Sequence, residues 1–173
     1  MGEKKLEGAG LRGQVAGNTA LSTVGKTGKG LTYRGYAIEE LAEKATFEEV
    51  AYMLLYGNLP TESEYNVYSE KLKNYRSLPQ ELKEVLERIP KNTHPMDVMR
   101  TGCSMLGNLE PEGDFSNQNN TADRILASMT SIITYWYRYS HEGVRIDTAT
   151  DHATIGGQFL ALLTGKEPSE EHA

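Results

Sequence analysis

Residues 31–64 read LTYRGYAIEELAEKATFEEVAYMLLYGNLPTESE, and the reading of this run decides the fold class. Tyr33-Arg34-Gly35-Tyr36 leaves a short extended segment through a glycine. Residues 38–44 carry the pattern of one short helix. Thr46-Phe47-Glu48-Glu49 has the form Thr-x-x-Glu ahead of an apolar run, which is a capping box. The Thr46 hydroxyl is expected to accept from the Glu49 amide, and the Glu49 carboxylate from the Thr46 amide. The helix behind it has Phe47, Val50, Ala51, Leu54 and Leu55 at helical spacing, predicting one apolar face. Gly57 predicts its end and Pro60 prevents its resumption. Thr61-Glu62-Ser63-Glu64 repeats the capping box for a third helix.

Working outward toward the N-terminus, nine of the 17 glycines lie at or before Gly35, so the opening segment is not helical. Ala20 to Val24 and Leu31 to Tyr33, separated by a Gly/Lys-rich turn, predict a β-hairpin. Residues 1–36 read as an arm and 37–173 as the helical body. Toward the C-terminus the third helix continues to about Arg76. Glu81 to Ile89 forms the next, with Leu82, Val85, Leu86 and Ile89 on one face. A helix entered through Thr93-His94-Pro95 runs to Gly107. Residues 108–120 are polar and predict a loop. The longest helix spans Ala122 to about His141, capped by Thr121 or Asp123, with Gly143 as its stop. Residues 155–163 form an apolar helix in which Gly156-Gly157 suggests a close helix approach. Gly165 ends it, and Pro168 to Glu171 opens another with no helix behind it. At least seven helices and one short hairpin make the class all-α. The bare cap at the end predicts that the chain is part of a longer protein.

The chain length of 173 residues suggests a single domain. A net charge of -6 argues against nucleic acid or an anionic membrane as the main partner. No apolar run approaches the roughly 20 residues that span a bilayer. The charged N-terminus has no apolar stretch of the secretory kind behind it. A single cysteine, Cys103, excludes an internal disulfide and fits a reducing compartment. Together these predict a cytoplasmic protein. Asn119-Asn120-Thr121 has the glycosylation pattern, but a polar loop is its ordinary explanation.

Few side chains suggest chemistry. Gly25-Lys26-Thr27 resembles the end of a phosphate-binding loop, but Ala20 stands where another glycine is needed and no helix follows. Cys103 has no base within reach on its helix and reads as a buried structural thiol. The four histidines show no metal-binding spacing. His94 is either a substrate-site histidine or a helix-entry residue. Glu39-Glu40, Glu48-Glu49 and Glu170-Glu171 read as solvated first turns favoured by the helix dipole. Arg12 is either an anion-binding residue in the arm or a solvated one.

The run Tyr33-Arg34-Gly35-Tyr36-x-Ile38, the helix Phe47-Glu48-Glu49-Val50-Ala51-x-x-Leu54-Leu55 and the stop Gly57-x-Leu59-Pro60-Thr61 resemble the N-terminal signature of the citrate synthase family. Ala16 to Lys26 (AGNTALSTVGK), His94 to Gly102 (HPMDVMRTG) and Ile133 to His141 (ITYWYRYSH) are similar to the branch that uses propionyl-CoA. The resemblance implies a citrate-synthase-like helical large domain, present in part, within a homodimer whose small domain closes over substrate. It implies condensation of propionyl-CoA with oxaloacetate and hydrolysis of the thioester to 2-methylcitrate and CoA. Coenzyme A enters as a thioester substrate, and no cofactor is bound. In such enzymes an aspartate removes the α-proton, one histidine stabilises the enol, and another polarises the oxaloacetate carbonyl. The family's His-Gly-Gly and Gly-His-Arg-Val segments are absent from these 173 residues, and His141-Glu142-Gly143 does not match the first. No catalytic residue is therefore carried over, and the chain alone is expected to be inactive. The resemblance leaves Arg12 as a contact for the CoA phosphates and His94 as a substrate-binding residue. The alternatives are a citrate synthase using acetyl-CoA and a non-catalytic helical interaction module.

Overall fold

In the computed structural model, residues 17–25 and 30–169 are described. The fold starts with a small antiparallel sheet. Strands β1 (Ser22–Val24), β2 (Leu31–Tyr33) and β3 (Tyr36–Ala37) pair in the order β1-β2-β3. Ser22 faces Tyr33 in the first pair and Tyr33 faces Tyr36 in the second. The predicted hairpin thus gains a third strand. Arg34 and Gly35 make the tight turn into it, with φ of 50° and 92°. A two-residue hairpin turn with both central residues at positive φ suits the strand twist. The Arg34 guanidinium fastens the turn to the helical body by donating to the Leu54 carbonyl at 2.9 Å.

Seven α-helices follow among the described residues: α1 (Ile38–Lys44), α2 (Phe47–Tyr56), α3 (Glu62–Asn74), α4 (Gln80–Glu87), α5 (Pro95–Leu109), α6 (Gln118–Glu142) and α7 (Ile155–Thr164). Their ends follow local chemistry. Both capping boxes are formed: the Thr46 amide donates to Glu49 Oε2 at 2.7 Å, and the Thr61 amide to Glu64 Oε2 at 2.8 Å. Gly57, Gly143 and Gly165 close α2, α6 and α7 in the left-handed conformation.

The long helix departs from expectation at its start. It begins at Gln118, so residues 118–120 are helical, and neither Thr121 nor Asp123 caps it. The reason lies upstream. Asp114 accepts the Ser116 amide at 2.9 Å and starts a 3₁₀ turn, Phe115–Asn117, that runs directly into α6. Asp123 is left inside the helix and fully buried.

The core is made by α4, α5 and α6. Leu78, Leu82, Leu86, Val98, Leu106, Ile132, Tyr135 and Trp136 form one buried cluster. A second, smaller one joins Tyr68 and Leu72 of α3, Ala127 of α6 and Ile155 of α7. Helices α6 and α7 meet along small and polar residues. Gln158, fully buried, donates to Ser131 Oγ at 3.0 Å and accepts from Thr130 Oγ1 at 3.2 Å. Gly156 has open space about it, whereas Gly157 is buried where α7 packs on α6. A close approach also occurs at Gly102, where a Cβ would lie 2.5 Å from Ile132 Cγ2.

Helix α2 is the other departure. Its buried residues are Glu48 and Met53. Phe47 is 59% exposed, and Val50, Ala51, Leu54 and Leu55 are only half-buried. Its neighbours in this chain cover the opposite side, so the predicted apolar face is not the one that is sealed.

Candidate functional site

Of the two residues singled out for binding, only His94 is among the described residues. Arg12 lies outside the described residues, as do Lys26 and Thr27 of the discounted phosphate-loop run. His94 is exposed at the entry to α5, where its Nδ1 accepts the Met96 amide at 3.2 Å. Pro95 at the first helical position has no amide to satisfy, so His94 supplies the acceptor for the next one.

Cys103 is half-buried rather than sealed in the core. Its helix face turns toward a cleft of about 480 Å³ between the end of α3, α5 and the start of α6. Leu106, Glu110, Asn120 and Arg124 share the lining. Arg124 is committed there: Nε and Nη2 each donate to the Glu110 carboxylate at 2.8 Å, and Nη1 donates to the Tyr75 carbonyl. This arrangement holds the Glu110 pKa below its ordinary value, chiefly through the Arg124 hydrogen bond. The described residues hold no group of three or more His, Cys, Asp and Glu side chains placed to bind a metal.

The strongest polar organisation surrounds Asp123. Tyr68 donates to Oδ1 at 3.1 Å, while Lys71 Nζ donates to Oδ2 at 2.6 Å alongside the Tyr56 hydroxyl. Lys71 also reaches Asn120 Oδ1 at 2.8 Å. Three helices, α2, α3 and α6, therefore converge on one carboxylate. Burial raises the Tyr56 and Tyr68 pKa values, and the neighbouring aspartate adds to it. Burial works against the Lys71 charge, but hydrogen bonds to Asp123 and Tyr56 outweigh it and raise its pKa. The sequence carried one signal for this site: Asp123 heads the same helical stripe as Ala127 and Ser131, both buried.

Two more charges are buried. Glu48, read from sequence as a solvated first-turn residue, is 2% exposed and accepts the Ile155 amide at 2.7 Å. Arg76 is 1% exposed and donates to the Thr150 and His152 carbonyls. Burial pushes the Arg76 pKa down, and the charges of Glu48, Asp151 and Glu70 oppose that. Glu48 was hidden in the sequence because the carboxylate-rich first turn is also the usual signature of solvated residues.

A third polar group ties the segment after α6 to α4. Arg145 grips the Glu87 carboxylate with two hydrogen bonds at 2.7 and 2.8 Å, and Tyr135 donates to it at 2.8 Å. The Arg145 hydrogen bond, offset by burial and helped by Tyr135, holds the Glu87 pKa at about 2, against an ordinary 4.5. A depressed carboxyl pKa gives stability that is present above pH 4.5 and lost as pH falls toward 2. Arg145 is largely exposed, so solvent screening keeps the contribution small. Melting temperature should fall over this acid window, and Arg145→Ala should flatten that part of the profile. An unchanged profile in the variant would remove Glu87 as the titrating group.

These elements define a helical scaffold with a small N-terminal sheet, and comparison with known proteins places it. The description "Citrate synthase, C-terminal domain" matches residues 10–173, and the chain belongs to the citrate synthase family. A 2-methylcitrate synthase from Shewanella oneidensis is 68% identical over 169 residues, covering 98% of this chain and 45% of that protein. The crystal structure of citrate synthase from Thermotoga maritima superposes with a TM-score of 0.77 at 33% identity, covering 92% of this chain and 42% of that one. The Thermoplasma acidophilum citrate synthase, a ternary complex with carboxymethyl coenzyme A and oxaloacetate, gives a TM-score of 0.83. It covers 94% of this chain and 43% of that one, and at 22% identity it bears on the fold alone. The chain spans about half the length of the curated relatives it matches. Among the described residues no helix is long and apolar enough to cross a membrane.

Proposed function

We propose that this chain supplies the N-terminal helices of an enzyme that condenses propionyl-CoA with oxaloacetate and water, giving 2-methylcitrate and CoA. The observation that carries the reading is the 68% identity to the Shewanella oneidensis 2-methylcitrate synthase across nearly the whole chain. The Thermotoga maritima citrate synthase shares only 33%. The half-open apolar face of α2 supports a scaffold that packs against further protein, since exposed apolar patches mark interaction surfaces. In this reading residues 1–36 are an arm, 37–173 are part of the large domain, and the enzyme is a cytoplasmic homodimer. Arg12 contacts the CoA phosphates and His94 stands on the substrate side. The reactive aspartate and histidines come from outside these residues, and the CoA thioester is substrate rather than cofactor.

The test has two arms. The purified 173-residue chain should release no CoA from propionyl-CoA plus oxaloacetate, and steady turnover would overturn the division of labour. Fused to the remaining portion of the Shewanella oneidensis enzyme, it should restore turnover. A folded but inactive chimera would count against the assignment.

A further inference from the structure

Residues 144–154 connect α6 to α7 without regular structure, yet they are pinned to distant parts of the chain. The Leu78 amide donates to Thr148 Oγ1 at 3.1 Å, and Thr148 is fully buried. Arg76 Nη1 donates to the carbonyls of Thr150 at 3.3 Å and His152 at 2.5 Å. Where α7 begins, the Ile155 amide donates to Glu48 Oε1. The connection is thus held between a buried carboxylate from the first turn of α2 and a buried guanidinium just past α3. Carbonyls that leave a buried guanidinium strand its charge, so this hold is far stiffer than an apolar loop contact.

We propose that residues 148–154 form a strap locked by Glu48 and Arg76, and that breaking the lock frees α7 as a separate opening unit. The core explains why the rest stays folded. The larger cluster is built from α4, α5, α6 and Leu78, and no α7 side chain is part of it. The buried side chains of α7 are Ile155, in the smaller cluster, with Gln158 and Leu162. Stability in such a molecule is not uniform, and an element outside the main cluster can open on its own.

Amide hydrogen exchange, followed peptide by peptide on the whole chain, tests this. Glu48→Gln keeps an acceptor for the Ile155 amide and removes only the charge that opposes Arg76. Arg76→Met removes the donor to both carbonyls. In each variant exchange over residues 155–164 should rise about tenfold or more, with α5 and α6 unchanged. Thr148→Val, which deletes one hydroxyl acceptor, should give a smaller rise at the same place and serves if Arg76→Met does not fold. Acceleration shared equally by α5 and α6, or none in α7, would overturn the proposal.

Discussion

Asp123→Ala should destabilise the protein by about 3–5 kcal/mol, the cost of removing one member of a buried, hydrogen-bonded charge pair. Asp123 is wholly inaccessible, and it is the meeting point of Tyr56, Tyr68 and Lys71. Alanine leaves the Lys71 ammonium without its carboxylate and leaves the buried Tyr68 hydroxyl without an acceptor. It also opens a small cavity where α2, α3 and α6 converge. Asp123→Asn keeps the volume and one acceptor, so its cost should be nearer 1–3 kcal/mol, that of a weakened buried hydrogen-bond set. Denaturant titration of both variants measures the difference. If Asp123→Ala shifts the midpoint no more than an ordinary surface substitution, the carboxylate is not the organising group of this junction.

Gly102→Val should cost about 3 kcal/mol or more through overpacking. Helical glycine is ordinarily a weakness, and replacing it by alanine gains up to about 1 kcal/mol. Here the added Cβ meets Ile132 Cγ2 at 2.5 Å and Cδ1 at 3.3 Å. Ile132 is fully buried and, being β-branched in a helix, has one favoured χ1 rotamer, so it cannot swing aside. The clash therefore outweighs the propensity gain. At about 2–4 °C per kcal/mol for a chain of this size, melting should fall by about 6–12 °C. Ile132→Ala in the same chain should recover part of the loss, because it removes both clashing carbons. A Gly102→Val protein as stable as the parent would show that α5 and α6 are not packed at this distance.

Much of the scaffold was legible before any coordinates. The capping boxes at Thr46 and Thr61, the stops at Gly57, Gly143 and Gly165, and the strands flanking residues 25–30 all sit where the residues place them. The start of α6 was missed because Asp114 caps a 3₁₀ turn that leads into it, a signal weaker than the Thr121 and Asp123 that follow. The close approach at the single Gly102 has no such local signal. Glycine permits close contact, but only an opposing helix makes one. Of the candidate site, His94 was legible as a helix-entry residue, and its hydrogen bond to the Met96 amide agrees. Glu48 and Arg76 were not legible, because each is of a residue type that is almost always solvated, and Asp123 was marked only by the stripe it shares with Ala127 and Ser131.

By itself the sequence determined most helix ends, because caps, glycine conformations and proline act within about four residues of themselves. Tertiary structure alone decided which faces are sealed. Asp123 is bonded to Tyr56 across 67 positions, and Glu48 to Ile155 across 107. No local pattern encodes such pairings. The same physics turned the apolar stripe of α2 toward the open side while burying its glutamate: a helix's periodicity offers a face, and what lies opposite determines whether that face is covered.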